Sequence, residues 1–235
     1  LSIAPRARIV DISHQIEPYA IAEAAFTVAQ AYGCFPPGSV HVVVVDPGVG
    51  SQRRALLVEA ARQYFVAPDN GVLSMVFARE KCRVREITAD RYFRKPVSRT
   101  FHGRDIFAPV AARLAGGVRP VSFGRLISDY ERGSFAEPVP TSDGSWTGVI
   151  LKVDRFGNLI TNFRADRYAD LRPGNFEIRC GRKRTSTLVS CYAEGGGQLF
   201  AIAGSSGYLE IAANQSSAAE FTGGRAGEKV WLKLK

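Results

Sequence analysis

Cysteine, methionine, tryptophan and histidine are all scarce in this 235-residue chain, at four, one, two and three copies. The four cysteines, Cys34, Cys82, Cys180 and Cys191, form no C-x-x-C pair, so they read neither as a zinc site nor as a disulfide framework. A Cys180–Cys191 bridge across a hairpin remains open; otherwise the cysteines suit a reducing compartment and a cytoplasmic location. His14, His41 and His102 fall in no H-x-H or H-E-x-x-H pattern, so no metal site is expected. That absence opposes a metal-dependent hydrolase built on these histidines and nearby aspartates. No apolar run is long enough to cross a bilayer, and no apolar h-region follows Arg6 and Arg8, so neither a membrane role nor a signal peptide is expected. Blocks of five like charges, internal repeats and low-complexity tracts are also missing. The net charge of +9 is spread, with 18 basic and 13 acidic residues in 1–140 and 13 and 9 in 141–235. This reads as a solvated basic face, with no nucleic-acid partner.

What is present is ordinary globular material, 46% hydrophobic and 23% charged, ample for a real core. Residues 7–13, "ARIVDIS", predict a short strand. Ile21, Ala24, Ala25, Val28 and Tyr32 recur at helical spacing and stop at Gly33. "SVHVVVVD" (39–46) is the continuous β-branched run of a strand buried on both faces. "ALLVEA" and "QYFVAPDNG" follow as strands, and "DIFAPVAARLAGG" (105–117) as a helix closed by glycines. This alternation predicts an α/β N-terminal domain over 1–130 with a mainly parallel sheet. Residues 131–145 have the Pro, Gly and Ser content of a linker. From Trp146 onward, short strands separated by glycine turns predict a smaller all-β, barrel-like domain over 146–235.

Four stretches carry candidate chemistry. In "DPGVGSQRR" the valine strand delivers Asp46 into a glycine turn, and Arg53 is placed to return and pair with it. Taken alone, a D-P-G is more often a simple turn. In "TFHGRDIFAP" His102 precedes a helix start and is accessible to a ligand, while Arg104 and Asp105 suit a local pair and a cap. A lone histidine equally suits a structural role. In "VDRFGNLITN" Asp154 supplies a carboxylate, Phe156 a stacking face and Asn158 the paired donor and acceptor that a purine edge requires. A β-turn with a core phenylalanine is the alternative there. In "AGSSGYLEIAAN" Ser205 lies in a tight turn whose hydroxyls and N–H groups suit a carboxylate, or merely close a hairpin.

Together the stretches "IVDISHQIEP", "VVVVDPGVGS", "RRALLVE", "FVAPDNGVLS", "TFHGRDIFAP", "VDRFGNLITN" and "GYLEIAAN" resemble, in order and over nearly the whole chain, the S-adenosylmethionine hydroxide adenosyltransferases. These are similar to the fluorinase and chlorinase. The resemblance implies hydrolysis of S-adenosyl-L-methionine to adenosine and L-methionine, without a cofactor. It also implies a homotrimer with active sites at subunit interfaces. It assigns the water-handling triad to Asp46, Arg53 and His102. Asp154 then holds the methionine amine, Asn158 reads the adenine, Phe156 lines its pocket, Ser205 takes the methionine carboxylate and Tyr19 lies against the nucleoside. Two departures accompany it. The family's opening strand, with a ribose-gripping aspartate in a "TDFG"-type motif, has no counterpart, so the chain reads as a fragment or a truncation. Ser206 stands where the fluorinase has an arginine. The first departure keeps a non-catalytic adenosine-binding module as an alternative. The kinship with halogenases keeps a halide-using enzyme as another, opposed by a carboxylate, Asp46, beside the nucleophile site.

Overall fold

The computed structural model describes all residues except Leu1, Ser134, Ala136 and Ala169. It divides into two compact units, Leu1–Ser134 and Phe135–Lys235.

The first unit is built on a five-stranded sheet of β1 (Val40–Val42), β2 (Ala55–Ala60), β3 (Gln63–Pro68), β4 (Arg83–Glu86) and β5 (Leu126–Ile127), in the order β1-β3-β2-β4-β5. Among the described residues three α-helices accompany it: α1 (Ile21–Ala31), α2 (Ser74–Arg79) and α3 (Ala108–Ala115). Strand β2 alternates strictly. Leu56, Val58 and Ala60 pack with Ala24 and Val28 of α1, whereas Ala55 and Leu57 pack with Val110 and Leu114 of α3. Helices therefore cover both faces, and "ALLVEA" is apolar at every position but Glu59 for that reason.

The sheet is mixed, not mainly parallel. Only β1 and β3 run parallel; β2 with β3, β2 with β4 and β4 with β5 are antiparallel. The cause is connection length. Ala61 and Arg62, at φ of 50° and 60°, form a two-residue turn of the left-handed kind that joins antiparallel strands, while a parallel pair needs a long crossover. Burial on both faces does not set strand direction. Two further expectations fail. Residues 7–13 form no strand, and Ile9 and Val10 are exposed. The valine run is only half buried: Val43 and Val45 pack on the core while Val42 and Val44 face outward.

The second unit is a nine-stranded sheet of β6 (Val139–Pro140), β7 (Ser145–Val153), β8 (Leu159–Arg164), β9 (Phe176–Cys180), β10 (Lys183–Thr185), β11 (Leu188–Val189), β12 (Leu199–Ala203), β13 (Tyr208–Ala213) and β14 (Lys229–Leu234), with one short helix, α4 (Ala218–Thr222). The order is β10-β9-β14-β7-β8-β13-β12-β11, with β6 beside β7. Pairings are antiparallel except that of β11 with β12. The two ends of this order, β10 and β11, are joined by Ser186 and Thr187 alone, so the sheet must curl. Thr185 Oγ1 donates to Leu199 O at 2.7 Å and Ala201 N to Thr187 O at 2.8 Å across the resulting seam. Ile150, Leu159, Phe163, Phe176, Ile211 and Leu232 fill the inside of this half-barrel. The opposite face of β12 and β13 carries Phe200, Ile202 and Ala212. All four cysteines are free, so no Cys180–Cys191 bridge forms.

Candidate active site

In the first unit, the parallel pairing of β1 is prolonged by Val43 N donating to Val66 O at 3.0 Å. This extended run holds the chain straight up to Asp46, where a turn begins with Val49 N donating to Asp46 O at 3.2 Å. Asn70 braces the run by donating to Val45 O at 2.9 Å. Gly50 closes the loop at φ 78°, and a Cβ there would lie 2.1 Å from Arg99 O. Only glycine permits that approach, which packs the loop carrying Asp46 onto the segment that leads to His102.

Arg53 returns to Asp46. Its Nε donates to Oδ1 at 2.9 Å and to Oδ2 at 3.0 Å, and its Nη2 also reaches Oδ2. The two side chains are only 9% and 5% exposed. The same Nη2 lies 2.9 Å from His102 Nδ1, and the guanidinium rests over the buried Phe107 ring, 5.1 Å from its centroid. A guanidinium has only donors, so Nδ1 accepts and the neutral ring carries its proton on Nε2. Burial first, and the Arg53 charge second, lower the His102 pKa from its ordinary value, which keeps the ring in that neutral form. The arrangement is a clasped cation beside an imidazole whose second nitrogen is a donor.

Asp105 plays a different part from the cap expected of it. Its Oδ2 accepts from Ser98 N at 2.9 Å, and Arg104 Nε donates to its Oδ1 at 2.7 Å. Arg104, chiefly, holds this buried carboxyl down at about 2. It ties the His102 loop together. Beside Arg53, a cleft of about 390 Å³ is lined by Gln52, Arg54, Asp69, Asp129 and Glu131. Tyr19 lies in a turn at φ 69° and is 77% exposed.

In the second unit, the turn between β7 and β8 carries Asp154, Phe156 and Asn158. Asp154 Oδ1 accepts from Phe156 N at 2.9 Å and Asn158 N at 2.8 Å, and its Oδ2 accepts from Asn158 Nδ2 at 2.9 Å. Asn158 is buried and spends one amide hydrogen on Asp154, leaving its carbonyl and one N–H for a ligand. Phe156 projects from the turn at 79% exposure. Ser205 is exposed in the turn between β12 and β13. A hollow of about 640 Å³ at the seam, lined by Lys183, Arg184, Gln198 and Phe221, touches none of these residues.

Sequence reasoning missed Glu210 and Tyr192. Glu210 is buried on β13, and its Oε2 accepts the Tyr192 hydroxyl at 2.8 Å. The signal was a lone glutamate inside the apolar run "YLEIAA". Among the described residues no group of three or more His, Cys, Asp or Glu is arranged to hold a metal ion, and no helix is long and apolar enough to cross a membrane.

The sequence matches two family models, the SAM hydroxide adenosyltransferase N-terminal domain over residues 1–124 and the C-terminal domain over 148–231. An (R)-S-adenosyl-L-methionine hydrolase of Salinispora tropica is 34% identical over 97% of this chain and 87% of its own. A fluorinase of an Actinoplanes species is 31% identical over 69% of this chain and 63% of its own. The crystal structure of an uncharacterized conserved protein from Thermotoga maritima superposes with a TM-score of 0.83 at 36% identity, covering 99% of this chain and 91% of that one.

Proposed function

The chain belongs to the SAM hydroxide adenosyltransferase family, and we propose that it uses Asp46, Arg53 and His102 to hydrolyse S-adenosyl-L-methionine to adenosine and L-methionine. Water attacks C5′ in line with the departing sulfur. The C5′–S bond breaks, its electron pair stays on the now neutral sulfur of methionine, and the proton of water is released to solvent.

Methionine leaves readily from a sulfonium, so the demand on the protein is the nucleophile. The observation that carries the reading is the Arg53 clasp. Asp46 fixes the guanidinium through both its oxygens, and His102 Nδ1 takes a further donor. The fixed positive charge favours hydroxide over water close to it. His102 presents Nε2–H, a donor that steadies an oxyanion and orients its lone pair. In this tautomer the imidazole is not the base that removes the proton. Holding nucleophile and C5′ in line supplies the entropic part of the acceleration.

Asp154 and Ser205 would hold the amino-acid end of the substrate, Asn158 and Phe156 the adenine, and Tyr19 the nucleoside. The assembly we propose is a homotrimer with active sites at subunit interfaces. The division of these residues between two units, each with an exposed aromatic, Tyr19 or Phe156, supports it. Free cysteines, two of them exposed, support a cytoplasmic location. The chemistry proposed requires no cofactor.

The test is chromatography after incubation with S-adenosyl-L-methionine, with and without chloride or fluoride. Adenosine and methionine in equal amounts are expected in every case. A 5′-halogenated nucleoside would make the protein a halogenase, and tight nucleoside binding without methionine release would make it a binding module.

A further inference from the structure

We propose that Glu210 is a second carboxylate of the subsite for the substrate's α-ammonium group, acting beside Asp154. The proposal rests on the reading of the protein as an S-adenosyl-L-methionine hydrolase. It begins with acceptor capacity. An ammonium brings three donors, and a carboxylate offers about four lone-pair positions. Asp154 already accepts three hydrogen bonds from its own turn, two on Oδ1 and one on Oδ2. It has room for about one donor more. A primary ammonium held by Asp154 alone would leave two donors without a protein partner.

Glu210 has the spare capacity. Its Oε2 takes the Tyr192 hydroxyl, and among the described residues no hydrogen bond reaches Oε1. The residue is 5% exposed, and the charged group that acts on it among the described residues is Asp154, not a cation. A buried carboxylate without a cation is costly unless a ligand supplies one. Burial first, and the charge of Asp154 in addition, raise its pKa, as expected of a group awaiting a positive partner.

Its placement matches. Ile202, Glu210, Ile160 and Lys152 lie in register across β12, β13, β8 and β7. Asp154 follows Lys152 by two residues, in the turn just past the end of β7, and is near enough for its charge to act on Glu210. In the other direction Oε1 reaches Gly204, where a Cβ would stand 1.8 Å from it. Gly204 is the residue before Ser205. The open oxygen of Glu210 therefore lies between Asp154 and the turn that carries Ser205, where an α-amino acid presents its ammonium and carboxylate one carbon apart. The sulfonium is not the partner, because it has no hydrogen to donate.

The test is Glu210→Gln, which keeps the shape and an acceptor for Tyr192 but removes the charge. Binding of L-methionine is measured by calorimetry with adenosine saturating, alongside 4-(methylthio)butanoate, which lacks the amine. Loss of one charge-assisted hydrogen bond predicts about 10- to 100-fold weaker L-methionine binding, with 4-(methylthio)butanoate and adenosine unchanged. In turnover, KM for S-adenosyl-L-methionine should rise by a similar factor while kcat stays within about threefold. Tyr192→Phe, which removes the hydrogen bond and keeps both carboxylates, should retain L-methionine binding within about threefold. Equal L-methionine affinity in Glu210→Gln and the unaltered protein overturns the proposal. So does a parallel loss for 4-(methylthio)butanoate, or no L-methionine binding by the unaltered protein. Absence of adenosine release by a protein whose methionine binding depends on Glu210 overturns the hydrolase reading and leaves the ammonium subsite standing.

Discussion

Arg53 Nη2 donates to His102 Nδ1 at 2.9 Å, which puts the imidazole proton on the opposite nitrogen. The bond makes the histidine an extension of the arginine's donor array. It also ties the ring's protonation state to the proposed catalysis, because a proton on Nδ1 would abolish the bond and set two cations together.

The pH dependence follows. The folded His102 pKa lies below its ordinary value of 6.5, so the folded state holds fewer protons there than the unfolded one. Stability from this group is full above about pH 6.5 and is lost as pH falls toward the folded pKa. The rate should behave alike. A profile of kcat/KM between pH 5 and 8 should be flat above about 6.5 and decline below it. A rate that rose as the pH fell below about 6.5 would mean that the ring works in its protonated form.

Asp46→Ala should nearly abolish hydrolysis, by about 10²-fold or more, while adenosine binding persists. The fold should suffer as well, since Arg53 would stay buried without its counter-charge, left with Phe107, His102 and the Arg54 carbonyl. Breaking such a pair costs about 3–5 kcal/mol, and the remaining contacts of Arg53 favour the lower end. Denaturant titration beside the rate assay separates the two losses. Undiminished turnover would remove Asp46 from the mechanism.

Asn158→Ala should weaken adenosine binding by about 1–3 kcal/mol. Asp154 would lose one of its three donors in the same step, so L-methionine binding is worth measuring on this variant too. The comparison of adenosine with inosine in the unaltered protein is decisive for the base-reading role. Equal affinities would assign Asn158 to bracing Asp154 alone.

Much of this was legible from residue types. The helices α1 and α3, the existence of strands β2 and β3 and the string of strands after residue 145 follow from periodicity and turn residues. That Asp46 would meet Arg53 was suggested by a seven-residue return through glycines. Strand direction was not legible, because apolar continuity reports burial on two faces and is silent on polarity. The outward turn of Val42 and Val44 was hidden in the same way, since a β-branched run looks identical whether one face or both are covered. Glu210 was passed over because "YLEIAA" reads as a core strand. Its meaning lies in the register that places it between Ile160 and Ile202, information carried by the pairing of strands distant in sequence. The tautomer of His102 required the geometry of Arg53.

Assembly offers another test. Chains carrying Asp46→Ala and Asn158→Ala, mixed after dissociation and reassembled, should recover part of the activity if active sites are shared between subunits. Light scattering should give the mass of three chains. A stable and active monomer would refute the trimer, whatever the mixing experiment gave.

The seam in the second unit has a consequence for the life of the protein in a crowded cell. A β-sheet normally ends in two strands whose unpaired amides can recruit another chain. Here both ends of the sheet order belong to one continuous stretch, Lys183 to Val189, knotted to β12 through Thr185 and Thr187. A single segment thus guards two edges, which limits templated aggregation. The same economy concentrates the hazard: a protease nick between Ser186 and Thr187 would free both edges at once.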